Sequence, residues 1–595
     1  MYRAPVAEIA HTLKHVAGLA EDLAAGRLHD LTDDLVDAVL EEAGRFASEE
    51  IAPLAPIGDR QGARLKDGVV TMPDGWRDLY RRWIEGGWNA LPGPVEHGGQ
   101  GLPSMLAVAA LEMWNSGSMA FGVGPTLSMG AVEALHAHGS PALKEKYLPK
   151  MVSGEWMGTM NLTEPHAGSD LATLKTRAER RPDGSYRIFG QKIFITYGEH
   201  DFTDNIIHLV LARLSDAPAG TRGLSLFLVP KFLVNADGSI GARNDLHCHA
   251  IEHKLGINAS PTCTMIYGDG RFGDEPGAIG WLVGEENRGL ACMFTMMNNA
   301  RLAVGMQGVA VAETAFQKAL AFAKERRQGR VAGWTGDGMA PIVHHPDVAR
   351  MLLTMQGLTR AARAIAYACA NAIDRAHAAE GDEKAFWQER ANLLTPVAKA
   401  FPTDIGVEVA SLGVQVHGGM GFVEETGAAV LLRDSRIAPI YEGTNGIQAI
   451  DLVTRKLPQS GGACIGAYLD ELDGVVAELA RSNDPAFGDS AARLTESMAD
   501  FRAATAALLT MLAQGRQADA LAGATAYQRL FGLAAGNVYL AKAALAGGEG
   551  ADAAARVTLC RFFAGTLLRE TSSLRATIEG GDAALQAATE ALLAG

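Results

Sequence analysis

Residues 433–448 read RDSRIAPIYEGTNGIQ, and the centre of this stretch places one carboxylate, Glu442, between apolar residues and a glycine-containing turn. A carboxylate with apolar neighbours loses solvation, so its pKa rises towards neutral pH. A general base that removes a weakly acidic C–H proton needs such a pKa. A solvated loop carboxylate is the simpler interpretation of a lone Glu-Gly pair. The rest of the chain decides between the two interpretations.

Three stretches upstream accompany this one. They are residues 160–170 (MNLTEPHAGSD), 192–196 (KIFIT) and 415–422 (QVHGGMGF). With IYEGTNGIQ they resemble the signature motifs of acyl-CoA dehydrogenases, in the order found in that family, and the resemblance covers residues 35–460. It implies a helical, β, helical order of domains, FAD as the cofactor and an acyl-CoA as the substrate.

The hydrophobic pattern changes twice along the chain, and these changes predict the domain boundaries. Apolar residues recur at helical spacing in residues 34–49 and again between 105 and 152. Short segments rich in β-branched and aromatic residues follow at 186–190, 192–196, 206–211 and 224–229, and helical patterns return from residue 289. No GxGxxG motif follows a strand, which argues against a Rossmann unit.

The expected fold class is α+β and mainly helical, with the acyl-CoA dehydrogenase arrangement of domains. The predicted parts are an N-terminal helical extension (1–33), an N-terminal helical domain (34–158), a middle β-barrel or sandwich (159–283), a helical bundle that carries the candidate base (284–457) and an additional C-terminal helical domain (458–595). Residues 458–467 (PQSGGACIGA) are expected to be a linker.

A flavin ring needs hydrogen-bond donors at its edge and an apolar face beside it. The resemblance implies that FAD is bound by Met160, Leu162, Thr163, Ser169, Phe194, Thr196, Arg326, Gln415, Gly418, Gly419, Thr444 and Asn445. Most relatives carry tryptophan at the position of Phe194, so this chain keeps the apolar wall and loses an indole donor. Arg326 is expected to reach the FAD of a partner subunit, which implies at least a dimer, either a homodimer or a dimer of dimers. Gly329 stands where the family has phenylalanine.

The resemblance assigns removal of the α-proton to Glu442 and places Ser169, Arg301, Tyr441 and Gly443 at the substrate. A minority of the family carries the base on the preceding long helix, one residue before an arginine. That position is Ala300 here, and alanine cannot accept a proton. The family polarises the thioester carbonyl with the backbone N–H of the base residue, an oxyanion-hole arrangement. A helix-packing ion pair is the alternative interpretation of Arg301.

Composition excludes some classes of function. The chain has 53 basic and 68 acidic residues, a net charge of −15, which argues against nucleic acid as a partner. Six scattered cysteines predict reduced thiols in a cytoplasmic protein. The N-terminus lacks the apolar core of a secretory signal, and no apolar run is long enough to span a membrane.

One histidine-rich stretch, residues 246–253 (LHCHAIEH), invites a metal-site interpretation. Adjacent positions on a strand face opposite ways, and no CxxC or HExxH motif accompanies the stretch. We therefore expect no metal. His166, in the place of a commoner glycine, is expected at the loop surface.

Three questions stay open at this level. The additional C-terminal domain resembles a bacterial subgroup that includes long-chain and 3-(methylthio)propanoyl-CoA dehydrogenases, so the acyl group is undecided. Electron-transfer flavoprotein is the expected electron acceptor, whereas an acyl-CoA oxidase would use O₂. An alkylation-response flavoprotein shares the fold and binds DNA, but the few Lys and Arg residues after residue 460 argue against that function.

Overall fold

Residues 2–28, 31–482, 484–547 and 551–594 are described by the computed structural model, and they fall into two units. The first, here called the helical unit, combines residues 1–44, 104–116 and 301–595. The second, here called the β unit, combines residues 45–103 and 117–300. Mainly helical structure with one β-rich part is the fold class that the sequence predicts.

The β unit contains an eight-stranded sheet that closes on itself. Its strands are Trp156–Asn161, Arg177–Arg180, Tyr186–Thr196, Asn205–Leu214, Leu224–Pro230, Leu246–Ile251, Thr262–Tyr267 and Ala278–Val283. Arg177–Arg180 pairs with both Tyr186–Thr196 and Asn205–Leu214. The same two strands are also joined through Ala278–Val283 and Leu224–Pro230. Five strands therefore form a closed ring, a small barrel, and Trp156–Asn161 is an edge strand of the sheet.

Helices of the β unit pack against this sheet. They are Ala55–Gln61, Trp76–Glu85, Met119–His138 and Pro141–Ser153, beside a small hairpin of Arg64–Lys66 and Val69–Thr71. Ser140 caps the last helix, since its Oγ accepts a hydrogen bond from the Leu143 N–H at 3.3 Å, and Pro141 occupies the first helical position. Apolar residues of the last two helices and of the strands form one buried cluster.

Two long helices, Pro346–Ala378 and Gly381–His417, form the centre of the helical unit and pack along each other. A buried ion cluster joins the first of them to two neighbouring helices, because Arg363 donates to Glu112 of Ser104–Gly117 at 2.6 Å and to Glu313 of Gly289–Glu325 at 2.8 Å. Neighbouring helices are Val6–His11, Leu19–Ala24, Asp33–Phe46, Ser104–Gly117, Gly289–Glu325, Ala428–Ser435 and Asn445–Asp451.

The C-terminal residues add a further set of helices to the helical unit. These are Ala463–Arg481, Ser490–Ala513, Gln517–Ala522, Ala524–Leu545, Ala551–Gly565, Glu570–Gly580 and Ala583–Ala594. Ala524–Leu545 packs on both central helices. A Cβ atom at Gly532 would lie 2.1 Å from the Phe401 ring, and Gln528 donates to the Pro396 carbonyl at 2.9 Å. The expected linker is a short turn, because residues 459–462 form one 3-10 turn and a helix begins at Ala463.

Contacts from the N-terminal residues reach the same C-terminal helix. Lys542 donates to the Val16 carbonyl at 3.0 Å, and the ring of His11 lies 3.0 Å from the Ala543 carbonyl. Among the described residues, every helix is too short or too polar to cross a membrane.

Candidate active site

Glu442 lies in a turn that precedes the short helix Asn445–Asp451. Its φ angle is +54°, and that of Gly443 is +82°. A left-handed conformation is uncommon at a residue with a side chain and stores about 1–3 kcal/mol where the surroundings enforce it. Thr444 ends the turn as the N-cap, since its Oγ1 accepts a hydrogen bond from the Ile447 N–H at 3.3 Å. The turn therefore fixes the direction of the Glu442 side chain.

The carbonyl groups of this turn are held by Gln448, which is fully buried. Its Nε2 donates to the Glu442 carbonyl at 3.2 Å and to the Gly443 carbonyl at 3.4 Å. A Cβ atom at position 443 would lie 2.5 Å from that nitrogen, so glycine is required there. Tyr441 is anchored separately, because its hydroxyl donates to Oε1 of the buried Gln307.

Two cations act on the Glu442 carboxylate. Burial raises its pKa, while the charges of Arg301 and Lys399 act in the opposite direction. The net direction is upward, because lost hydration outweighs both cations. Burial also lowers the pKa of Arg301, and this effect is opposed by Asp451 and by Glu442. The environment thus makes Glu442 a stronger base than a solvated carboxylate.

Four of the predicted FAD residues lie near the ends of two helices of the helical unit. They are Arg326, Gln415, Gly418 and Gly419, and all four are exposed. Phe322 and His417 stack with ring centroids 4.5 Å apart, which holds the end of Gly289–Glu325 near the end of Gly381–His417. The Arg326 guanidinium and the Gln415 side-chain amide are donors that suit phosphate or ribose. Nothing lies within 4 Å of the Cβ position of either glycine, so a ligand can approach their backbone closely.

Thr444 and Asn445 are the remaining predicted FAD residues of the helical unit. The Asn445 side chain is buried, and its amide is hydrogen-bonded to groups of the helix Gly381–His417. Its backbone N–H also donates to the Pro439 carbonyl, so neither the side chain of Asn445 nor its N–H is left for a cofactor.

The β unit carries the other predicted FAD residues. They are Met160, Leu162, Thr163, Ser169, Phe194 and Thr196. Met160 belongs to the edge strand Trp156–Asn161, whose unpaired side leaves backbone groups for a ligand. Phe194 has a φ angle of +58° and is 58% exposed, which is unusual for an aromatic residue on a strand. An exposed aromatic face and free strand donors fit a flat, polar-edged ring such as isoalloxazine.

A buried ion pair between Lys192 and Glu164, not predicted from the sequence, joins the motif at residues 192–196 to the motif at residues 160–170. Lys192 is fully buried, and its Nζ donates to the Leu162 carbonyl and to Glu164 Oε1, both at 2.9 Å. Glu164 also accepts hydrogen bonds from the backbone N–H of Lys175 at 2.8 Å and of Thr176 at 2.9 Å. Burial opposes ionisation of Glu164, but Lys192 and these donors hold its pKa below the usual range. In the sequence, the signal for this pair was a lysine, Lys192, within an otherwise apolar strand segment.

The histidine-rich stretch does not gather metal ligands. Within the described part of the chain, one group of three possible ligands was found, and it consists of Glu96, His97 and His136. Glu96 is exposed and the two histidines are half-buried, and Oε1 of Glu96 lies 3.7 Å from Nε2 of His136, as in an ordinary surface ion pair. We assign no metal to this group. His166 is exposed at the loop surface, 3.0 Å from the Thr173 carbonyl.

Comparison with protein-family models covers nearly the whole chain. Residues 34–155 match the acyl-CoA dehydrogenase N-terminal domain, residues 159–269 the middle domain and residues 287–457 the C-terminal domain of the same enzymes. Residues 468–589 match the model described as acetyl-CoA dehydrogenase C-terminal like.

Similar proteins of known name agree with these matches. The 3-methylmercaptopropionyl-CoA dehydrogenase of Ruegeria pomeroyi is 45% identical over 98% of this chain and 99% of its own length. A butyryl-CoA dehydrogenase of Syntrophomonas wolfei is 35% identical over 79% of this chain and 77% of its own. The crystal structure of Caenorhabditis elegans ACDH-11 in complex with C11-CoA matches with a TM-score of 0.76 over 95% of this chain and 91% of that one, at 20% identity. This last likeness shows a shared fold.

Proposed function

Since the chain belongs to the acyl-CoA dehydrogenase family, whose members are FAD-dependent oxidoreductases, we propose that Glu442 is its catalytic base. The observation that carries this proposal is a carboxylate fixed by a left-handed turn and made more basic by burial. Glu442 would take the α-proton of an acyl-CoA, leaving a trans-2-enoyl-CoA. FAD, when bound, supplies the acceptor for the β-hydrogen, which leaves as hydride.

The residues around Glu442 have supporting roles in this proposal. Its backbone N–H would donate to the thioester carbonyl and stabilise the negative charge that develops there. Gln448 keeps that peptide in place through the two carbonyl groups of the turn. Arg301 limits the rise in the pKa of Glu442, so part of the carboxylate stays ionised. Tyr441, Gly443 and Ser169 are proposed to line the substrate.

Each unit carries residues that we propose to bind FAD. In the β unit, Phe194 would cover one face of the ring, and Met160, Leu162, Thr163 and Thr196 would lie at its edge, with Ser169 at a phosphate. In the helical unit, Arg326, Gln415, Gly418 and Gly419 would take the pyrophosphate and adenosine of a FAD in a homodimer. Exposure of these last four residues in the single chain supports that assignment.

A compact acyl group is the substrate we propose, with 3-(methylthio)propanoyl-CoA as the first candidate. Support comes from the two relatives, whose names specify a methylmercaptopropionyl and a butyryl group. Electron-transfer flavoprotein is the proposed acceptor, and the cytoplasm the proposed location.

DNA binding finds no support in the C-terminal helices. Residues 458–595 hold ten basic and fifteen acidic residues. Several of the arginines are already paired, for example Arg502 with Asp470 and Arg529 with Glu570. A net negative surface repels a phosphate backbone, so this part of the chain is proposed to have a packing role.

Substitution Glu442→Gln tests the proposed base. Loss of the carboxylate should lower kcat about 10²–10⁴-fold, because general base catalysis contributes that much. FAD content and acyl-CoA affinity should persist, since glutamine keeps the size of the side chain. Turnover of the exposed-site control Glu383→Gln should equal that of the wild type. Normal turnover by Glu442→Gln would remove the assignment.

A further inference from the structure

Lys399 lies in the middle of the helix Gly381–His417 and is fully buried. An ammonium group is rarely buried without partners, because the loss of hydration is unfavourable. Its Nζ donates to Oδ1 of Asn445 at 2.7 Å. Asn445 is a neutral acceptor, so this hydrogen bond alone does not compensate the charge of Lys399.

Asn445 is in turn fixed on every side of its amide. Its Nδ2 donates to Thr403 Oγ1 at 2.9 Å, to Asp404 Oδ1 at 2.7 Å and to the Ala400 carbonyl at 3.2 Å. The backbone N–H of Asn445 donates to the Pro439 carbonyl at 3.0 Å. These contacts attach the end of the Glu442 turn to one face of a long, rigid helix.

The charged groups around this turn form a short chain of neighbours. Glu442 is acted on by Arg301 and Lys399. Lys399 is acted on by Asp404 and Glu442, which favour its charged form, and by Arg301, which opposes it. Arg301 interacts in addition with Asp451. Lys399 is thus the buried cation that contacts the turn through Asn445 and the base through its charge.

We propose that Lys399 is a positioning residue for the base: it holds the Glu442 turn through Asn445, and its charge favours the ionised carboxylate. This inference rests on the proposed role of Glu442. A lysine that merely fills space would affect folding and leave the behaviour of the base unchanged. A positioning lysine must also change the rate of proton removal and its pH dependence.

The protonation of Lys399 agrees with this role. Burial lowers the pKa of Lys399 to about 7, and Asp404 and Glu442 oppose that effect. Lys399 is therefore charged below that pH, and its charge then favours the ionised Glu442 carboxylate. Removing the cation raises the pKa of Glu442, so the base stays protonated to a higher pH. The acid limb of the kcat/KM profile must then move to higher pH.

Two substitutions separate the hydrogen bond from the charge. Lys399→Met removes both, and we expect kcat to fall about 10–100-fold with little change in KM, together with an upward shift of the acid limb of about 0.5–1 pH unit. Lys399→Gln keeps a neutral donor for Asn445. We expect it to recover most of kcat and to show the same shift of the acid limb, since the charge is absent in both variants.

The matched control is Lys542→Met. Lys542 is a half-buried lysine of the helical unit that donates to the Val16 carbonyl. Its pH profile should equal that of the wild type. All measurements use the FAD-loaded protein with its flavin content recorded. If Lys399→Met does not fold, Lys399→Gln alone decides.

The result that overturns the inference is a Lys399→Gln profile with the acid limb of the wild type. Failure of the proposed function would look different. If Glu442→Gln is active, Glu442 is not the base and the proposed function fails. If Glu442→Gln is inactive and the pH profiles of the Lys399 variants are unshifted, only the proposed role of Lys399 fails.

Discussion

At the scale of single residues, the structure places a strained and partly buried carboxylate where the sequence predicts the base. Glu442 could be selected from sequence because a family motif surrounds it. Its left-handed backbone could not be predicted, since it depends on the close contact of the Gln448 side chain with the turn at Gly443. The role proposed for Lys399 could not be predicted from sequence either, because it depends on a hydrogen bond to Asn445, which lies 46 positions away.

Burial of Glu442 has a consequence for stability. Its pKa is higher in the folded chain than in the unfolded chain, so the folded state loses stability as pH rises through these two values. Glutamine at this position does not ionise. We therefore expect Glu442→Gln to raise Tm by roughly 1–2 °C at pH 8 and to have no effect on Tm at pH 4.

Thermal unfolding of the two FAD-loaded proteins at both pH values measures this difference. If Glu442→Gln is less stable than the wild type at pH 8, the site favours the ionised carboxylate, and the expected effect of its burial is wrong.

At the scale of elements, the loop that follows the edge strand Trp156–Asn161 is joined to the strand Tyr186–Thr196 by the buried pair Lys192 and Glu164. Lys192→Met removes the donor to the Leu162 carbonyl and leaves Glu164 buried with one partner fewer. Truncating one partner of a buried ion pair destabilises by about 3–5 kcal/mol. We expect weaker FAD retention and a lower Tm.

Flavin content after gel filtration and the Kd for FAD measure this effect. The control Arg187→Met, which removes the ion pair of the half-buried Arg187 with Glu275, should retain FAD, since Arg187 lies on the same strand but outside the two motifs. Wild-type FAD affinity in Lys192→Met would show that the pair has no part in shaping the cofactor site.

Elements with a clear pattern were predictable. The sequence predicts short β-rich segments at 186–190 and 192–196. Both lie in the sheet, but they form one continuous strand, Tyr186–Thr196. The strand Trp156–Asn161 was missed, because WMGTMN contains glycine and methionine in place of an alternating β-branched pattern. Its identity is set by pairing with Asn205–Leu214, which lies far along the chain.

At the scale of the whole molecule, the C-terminal helices and the central helices belong to one unit. The sequence predicts them as separate domains, because composition shows the glycine-rich stretch near residue 460 and not the packing behind it. At Gly532, the Phe401 ring occupies the space that a side chain would need.

Gly532→Ala tests that contact. A methyl group 2.1 Å from an aromatic ring forces the helix Ala524–Leu545 away from Phe401, and overpacking of this kind destabilises by about 1–3 kcal/mol. We expect a single unfolding transition at a lower Tm. The control Gly474→Ala, at an open helical position, should raise stability by about 0.5–1 kcal/mol.

An unchanged Tm in Gly532→Ala would show that the contact is loose.

The most direct test of the central claim is anaerobic bleaching of the bound flavin's visible absorbance after mixing with acyl-CoAs. The series consists of 3-(methylthio)propanoyl-CoA, butyryl-CoA and palmitoyl-CoA, each with the wild type and with Glu442→Gln. We predict rapid bleaching of the wild type by the two compact substrates, slow bleaching by palmitoyl-CoA, and none within the same time in Glu442→Gln. Bleaching of Glu442→Gln at the wild-type rate, or no bleaching of the FAD-loaded wild type by any acyl-CoA, would contradict the account.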